Sequence, residues 1–283
     1  MATNQRSNVF ELVPDEWLEP VVGLWVIVLA IAGMVLTLEV TGAVLVPLGG
    51  SAITGILVTV AVAGLAYGVF GIGLTFLYLR HRDIEPGFVV ESFDRSEWHW
   101  FGRLTGLFFT LVVVGGVVSR FFGSSFEVIT THLWIGSFPL PDGLRALALA
   151  SPGMQESPIG IVPVVIFIAV LSGLLVGPAV GALFHGVLQN TLTQVVSPTL
   201  SFVGTALAAT VAVNGFTFHG VVGFSGISTT VAVFIFSLAV AYAYRETENL
   251  LLPMAAYGLF SAFSLMSGWF AVVVVAYLTT GSL

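Results

Sequence analysis

The chain has 283 residues, of which 57% are hydrophobic and only 8% charged, and its mean hydropathy is +1.04. A soluble domain carries roughly 25% charged residues to solvate its surface, so the 8 basic and 15 acidic side chains here are too few. A soluble enzyme, a nucleic-acid binder and a disordered chain are excluded, leaving an integral membrane protein whose first partner is the lipid bilayer.

The expected fold is an all-α, polytopic membrane bundle of about eight transmembrane helices. Residues 1–20 form a polar N-terminus with Glu11, Asp15, Glu16 and Glu19, without a signal peptide's basic region or cleavage site. About twenty apolar residues at 1.5 Å each cross a core of about 30 Å. By that measure residues 21–46 and 51–79 are spans one and two, followed by the polar stretch 80–103. Span three covers residues 104–122, and a mixed loop runs to Glu156. Residues 157–175 form span four. Pro178 predicts the start of a short fifth helix, because proline suits the first helical position, and Ser197-Pro198 predicts its end. Spans six, seven and eight are residues 199–213, 227–244 and 250–278, with the charged turn RETEN before the last. The chain thus divides into the N-terminus, membrane helices and loops over 21–156, and a membrane core over 157–283.

Orientation follows from arginine placement, since cytoplasmic loops are enriched in basic residues. All eight basic residues are Arg, and Arg80, Arg82, Arg95 and Arg103 share the loop after span two. That loop is expected inside, and with eight spans both termini are then cytoplasmic, leaving Arg120, Arg145 and Arg245 at the opposite face. An acidic chain without lysine also resembles halophilic archaeal proteins in composition. It has no cysteine, so disulfides and thiolate chemistry are excluded.

Polar groups within lipid are expensive and often mark function. Glu39 near the end of span one reads as an interfacial acid, and His132 and His219 as loop residues. His99, between Trp98 and Trp100, belongs to the headgroup zone. His185, Gln189 and Thr193 stand four apart and form one helical stripe. Such a stripe must face protein or trapped water. It either walls a polar cavity or ties neighbouring spans together for about 1 kcal/mol per contact. Gly64 and Gly68 have the spacing that lets helices approach closely.

The segment GLLVGPAVGALFHGVLQNTLTQVVSP resembles the first motif region of the CPBP family, the CAAX-protease and bacteriocin-processing intramembrane proteins. Val176-Gly177-Pro178 matches the entry of that motif, and Phe184 with Gly186 to Gln189 matches its flank. The family's paired acids and arginine, E-E-x-x-x-R, are replaced by Val180, Gly181 and His185. The later histidine motifs fall by spacing near Val213 or Asn214, and at Tyr257 and Ser261, none of them histidine. The resemblance spans roughly residues 157–265. In the family it implies a Glu-activated water and His or Asn groups holding a metal or oxyanion. A catalytic zinc needs three protein ligands, and these positions offer one, so no metal or other cofactor is expected.

A membrane scaffold or pseudoenzyme that binds or shields a hydrophobic peptide or membrane-protein partner is therefore the favoured expectation. An active intramembrane peptidase is the first alternative, with His185, His219, Glu246 and Asn214 converging on zinc or another divalent ion. A small transporter or channel lined by Glu39 and the His185–Thr193 stripe is the second.

Overall fold

A computed structural model describes residues 15–45, 61–62, 64–81, 93–121, 162–215, 224–263 and 266. Among these residues the chain is all-helical. Helix α1 is Asp15–Leu45, α2 covers residues 64–81 and α3 is Arg95–Phe121. Helix α4 covers residues 162–192, α5 is Pro198–Gly215, α6 is Phe224–Thr247 and α7 is Leu251–Phe263.

Three elements depart from the sequence expectations. Helix α1 begins at Asp15, so the last residues of the polar N-terminus already lie on its first turns. Residues 95–103, expected in a loop, are the opening turns of α3. Asp94 caps that helix: its Oδ1 accepts the Glu97 N–H at 2.7 Å, while Glu97 Oε2 accepts the Asp94 N–H at 2.7 Å. This reciprocal pairing satisfies two amide donors that a helix start otherwise orphans.

The third departure concerns α4, in which the expected fourth and fifth helices are one continuous rod. Pro178 lies inside it rather than at its start. Proline lacks an N–H and crowds the preceding turn, and α4 accommodates this with wide, π-type turns at Ser172–Val176 and Ala182–Gln189. The Gly177 N–H reaches back five residues to the Ser172 carbonyl. Such local widening lets a helix keep its backbone groups bonded past a proline. Within this rod Ala169–Leu192 is long and apolar enough to cross a membrane, with mean hydropathy 1.7.

Helices α1, α2, α5, α6 and α7 pack around α4, whereas α3 packs against α6 and α7. Gly23 of α1 meets Thr191 and Val187, and Gly71 of α2 abuts Ala179. On α7, Pro253, Met254, Tyr257 and Gly258 press against Gly181 and Gly177. A Cβ on Gly181 would stand 2.7 Å from the Met254 nitrogen, and one on Gly177 would overlap the Tyr257 carbonyl. The glycine spacing that matters is therefore Gly173, Gly177 and Gly181 against α7, where backbone meets backbone. Gly64 and Gly68, singled out from sequence, meet only leucine side chains of α4, Leu171 and Leu175.

Several contacts gather helix ends at one face of the bundle. Tyr78 near the end of α2 donates to Glu19 near the start of α1 at 3.2 Å. Asn249, between α6 and α7, donates to Glu97 at the start of α3 at 2.7 Å. Its Oδ1 accepts the Leu251 N–H that opens α7. Glu248 takes the left-handed conformation, φ 53, that closes many helices. Asn190 near the end of α4 donates to the Tyr244 hydroxyl near the end of α6.

Candidate functional site

Ser172, His185, Gln189 and Thr191 of α4 are buried, and Ser172, Gln189 and Asn190 bond neighbouring helices. His185 is fully buried, and Gln189 nearly so. His185 Nδ1 lies 2.7 Å from Gln189 Oε1, and Gln189 Nε2 donates to the Ala241 carbonyl of α6 at 2.8 Å. A carbonyl only accepts, which fixes the amide of Gln189 and leaves its Oε1 facing the imidazole. Nδ1 must then carry the ring proton of a neutral His185. From α5, Ser201 Oγ donates to the Gln189 carbonyl at 3.1 Å. One residue pair thus anchors three helices.

Thr193 differs from its two stripe partners. It is exposed at the end of α4, and its hydroxyl bonds the Asn190 carbonyl at 2.8 Å. Sequence spacing alone could not reveal that the helix ends at Leu192.

The other motif positions are partly brought together. The Tyr257 ring lies against His185, with centroids 5.7 Å apart, and its hydroxyl donates to Ser237 Oγ of α6 at 2.7 Å. Ser261 is buried but pairs with Ser172 of α4, a separate contact. Val180 is half-buried, and Gly181 is closed off by the α7 backbone. Val213 and Asn214 lie on the last turns of α5, outside the residues whose side chains are described.

For the relocated-ligand arrangement, Glu246 is exposed near the end of α6 whereas His185 is sealed inside. His132 and His219 lie outside the described residues, and His99 is exposed on the opening turns of α3. Glu39 lies on α1, with its side chain not described. No group of three His, Cys, Asp or Glu side chains that could hold a metal ion occurs among the described residues. Sequence reasoning missed Ser201, Thr205 and Ser237. Each is one of several hydroxyls scattered along a largely apolar helix, and only the packing of α5 and α6 on α4 reveals its place.

Comparison with known protein families, with curated proteins and with solved structures finds no match to this chain.

Proposed function

We propose that the chain is a polytopic membrane protein with a CPBP-like helical core, acting as a non-hydrolytic scaffold for a hydrophobic peptide or membrane-protein partner. Membrane embedding is supported by the many large apolar side chains on the outer surface, together with several polar ones inside. Leu24, Trp25, Leu29, Leu36, Leu174 and Val211 are among the large apolar side chains exposed, whereas Ser172, His185, Gln189, Ser201 and Ser237 are buried. Lipid solvates such a rim, and the interior supplies the hydrogen bonds lipid lacks.

Orientation is supported by the arginines. Arg80 and Arg103 belong to the end of the bundle where α2 finishes and α3 starts. The Glu97–Asn249 bond brings Arg245 to that end too, not to the opposite face as an eight-span count requires. Basic enrichment assigns this end to the cytoplasm. With α4 as a single rod, an even number of spans no longer follows, nor does the inference that both termini are cytoplasmic.

The observation carrying the non-hydrolytic reading is the packing at Gly181, one position where the resembled family keeps an acid. The α7 backbone occupies the space a carboxylate side chain needs there. The neighbouring imidazole of His185 already uses Nδ1 on Gln189. Purified full-length protein is expected to carry no stoichiometric metal and to leave prenylated and leader peptides intact. One bound metal per chain, or cleavage of either peptide class, overturns the reading.

A further inference from the structure

Two buried polar atoms are left without a hydrogen-bond partner among the described residues: His185 Nε2 and Thr205 Oγ1. Their helices are held in register one turn away. Ser201 of α5 bonds the Gln189 carbonyl of α4, and the Thr193–Ser197 turn makes the two helices antiparallel neighbours. One turn deeper along both rods, Ser201 leads to Thr205 and Gln189 leads back to His185. Helix α6 follows the same register, because Gln189 bonds Ala241 and one turn back from Ala241 is Ser237. Ser237 in turn accepts from Tyr257, whose ring lies against His185. By this register His185, Thr205, Ser237 and Tyr257, all buried, fall at one polar layer drawn from four helices.

The threonine itself supports this placement. Thr75, Thr191 and Thr210 are also buried, and each turns its hydroxyl to the carbonyl four residues back on its own helix. Thr205 forgoes that bond although it is equally buried. A buried hydroxyl normally finds a partner or an ordered water.

We propose that this layer is a binding site for one water molecule, held between His185 Nε2 and Thr205 Oγ1. With the ring proton on Nδ1, Nε2 presents a lone pair, so the occupant must donate to it. Water donates there and exchanges a second hydrogen bond with the Thr205 hydroxyl. Buried waters typically bridge polar groups in this way. A divalent cation is the competing occupant of such a lone pair, but one imidazole and one hydroxyl make a poor ligand set for it. This site does not depend on the scaffold reading, and its test uses neither peptide nor partner.

The test is solid-state NMR of the full chain in liposomes with ¹⁵N-labelled histidine, the His185 ring assigned through its contact with the Gln189 amide. The expected spectrum shows a protonated Nδ1, a bare hydrogen-bonded Nε2, and magnetisation transfer from water to Nε2. Thr205→Val loses that transfer, while Thr205→Ser keeps it. A protonated Nε2 with bare Nδ1, no transfer in the wild-type chain, or transfer unchanged in Thr205→Val overturns the site. Displacement of the Nε2 resonance by added Zn²⁺ also overturns it, since the position would then be a metal ligand.

Discussion

Gln189 is the residue through which α4 makes polar contact with both α5 and α6. Its side chain serves His185 and Ala241, and its carbonyl serves Ser201. Replacing the amide with a hydrocarbon of similar shape strands the buried His185 Nδ1–H without its partner. An orphaned buried donor costs about 1–3 kcal/mol. Gln189→Leu should therefore lower the melting temperature measured by fluorescence-detected size exclusion in detergent. Thr193→Val, at the exposed end of the same stripe, should change stability by less than about 0.5 kcal/mol, as surface substitutions commonly do. Equal effects would mean the two positions share an environment, contrary to the structure. The sequence made this stripe visible through its spacing of four. What it could not show was where the helix stops, and that decides which members are buried.

At the scale of elements, the contact between α4 and α7 is set by glycine. Nothing larger fits at Gly177 or Gly181, because the α7 backbone is already there. Gly181→Ala should destabilise the bundle by about 1–3 kcal/mol, the usual cost of overfilling a packed interior. Gly106→Ala on α3 has nothing within 4 Å and should be neutral or stabilising, by up to about 1 kcal/mol, since alanine favours helix more than glycine. Parallel thermal melts of the two variants check this contrast, and a tolerated Gly181→Ala would contradict the close approach. Most helices were legible from hydropathy because, in the proposed membrane setting, an apolar run must form a helix to satisfy its backbone. The junction at Pro178 was misread for a reason equally physical. Proline marks a helix start only if the preceding turns cannot widen, and the wide turn Ser172–Val176 shows that here they do. Likewise the polar residues 95–103 looked like loop, although Asp94 and Glu97 form a capping pair that starts α3. The consequential glycines were obscured because 32 glycines yield many chance spacings. Only the facing helix distinguishes Gly177 from Gly68.

For the whole molecule, in the proposed membrane topology, joining two expected spans into α4 reverses the side on which Ser197 and Glu248 lie. Ser96 at the start of α3, Ser197 after α4 and Glu248 after α6 are exposed at one end of the bundle. An eight-span arrangement would instead put Ser96 on one side of the membrane and the other two opposite. The chain contains no cysteine, so Ser96→Cys, Ser197→Cys and Glu248→Cys each introduce a single thiol that reports its own location. The decisive measurement is labelling of these three variants with a membrane-impermeant maleimide, in intact and in permeabilised cells. All three should remain unlabelled until permeabilisation, consistent with a cytoplasmic, arginine-bearing end. If Ser197→Cys and Glu248→Cys react in intact cells while Ser96→Cys does not, the single-rod α4 and the bundle built around it are contradicted.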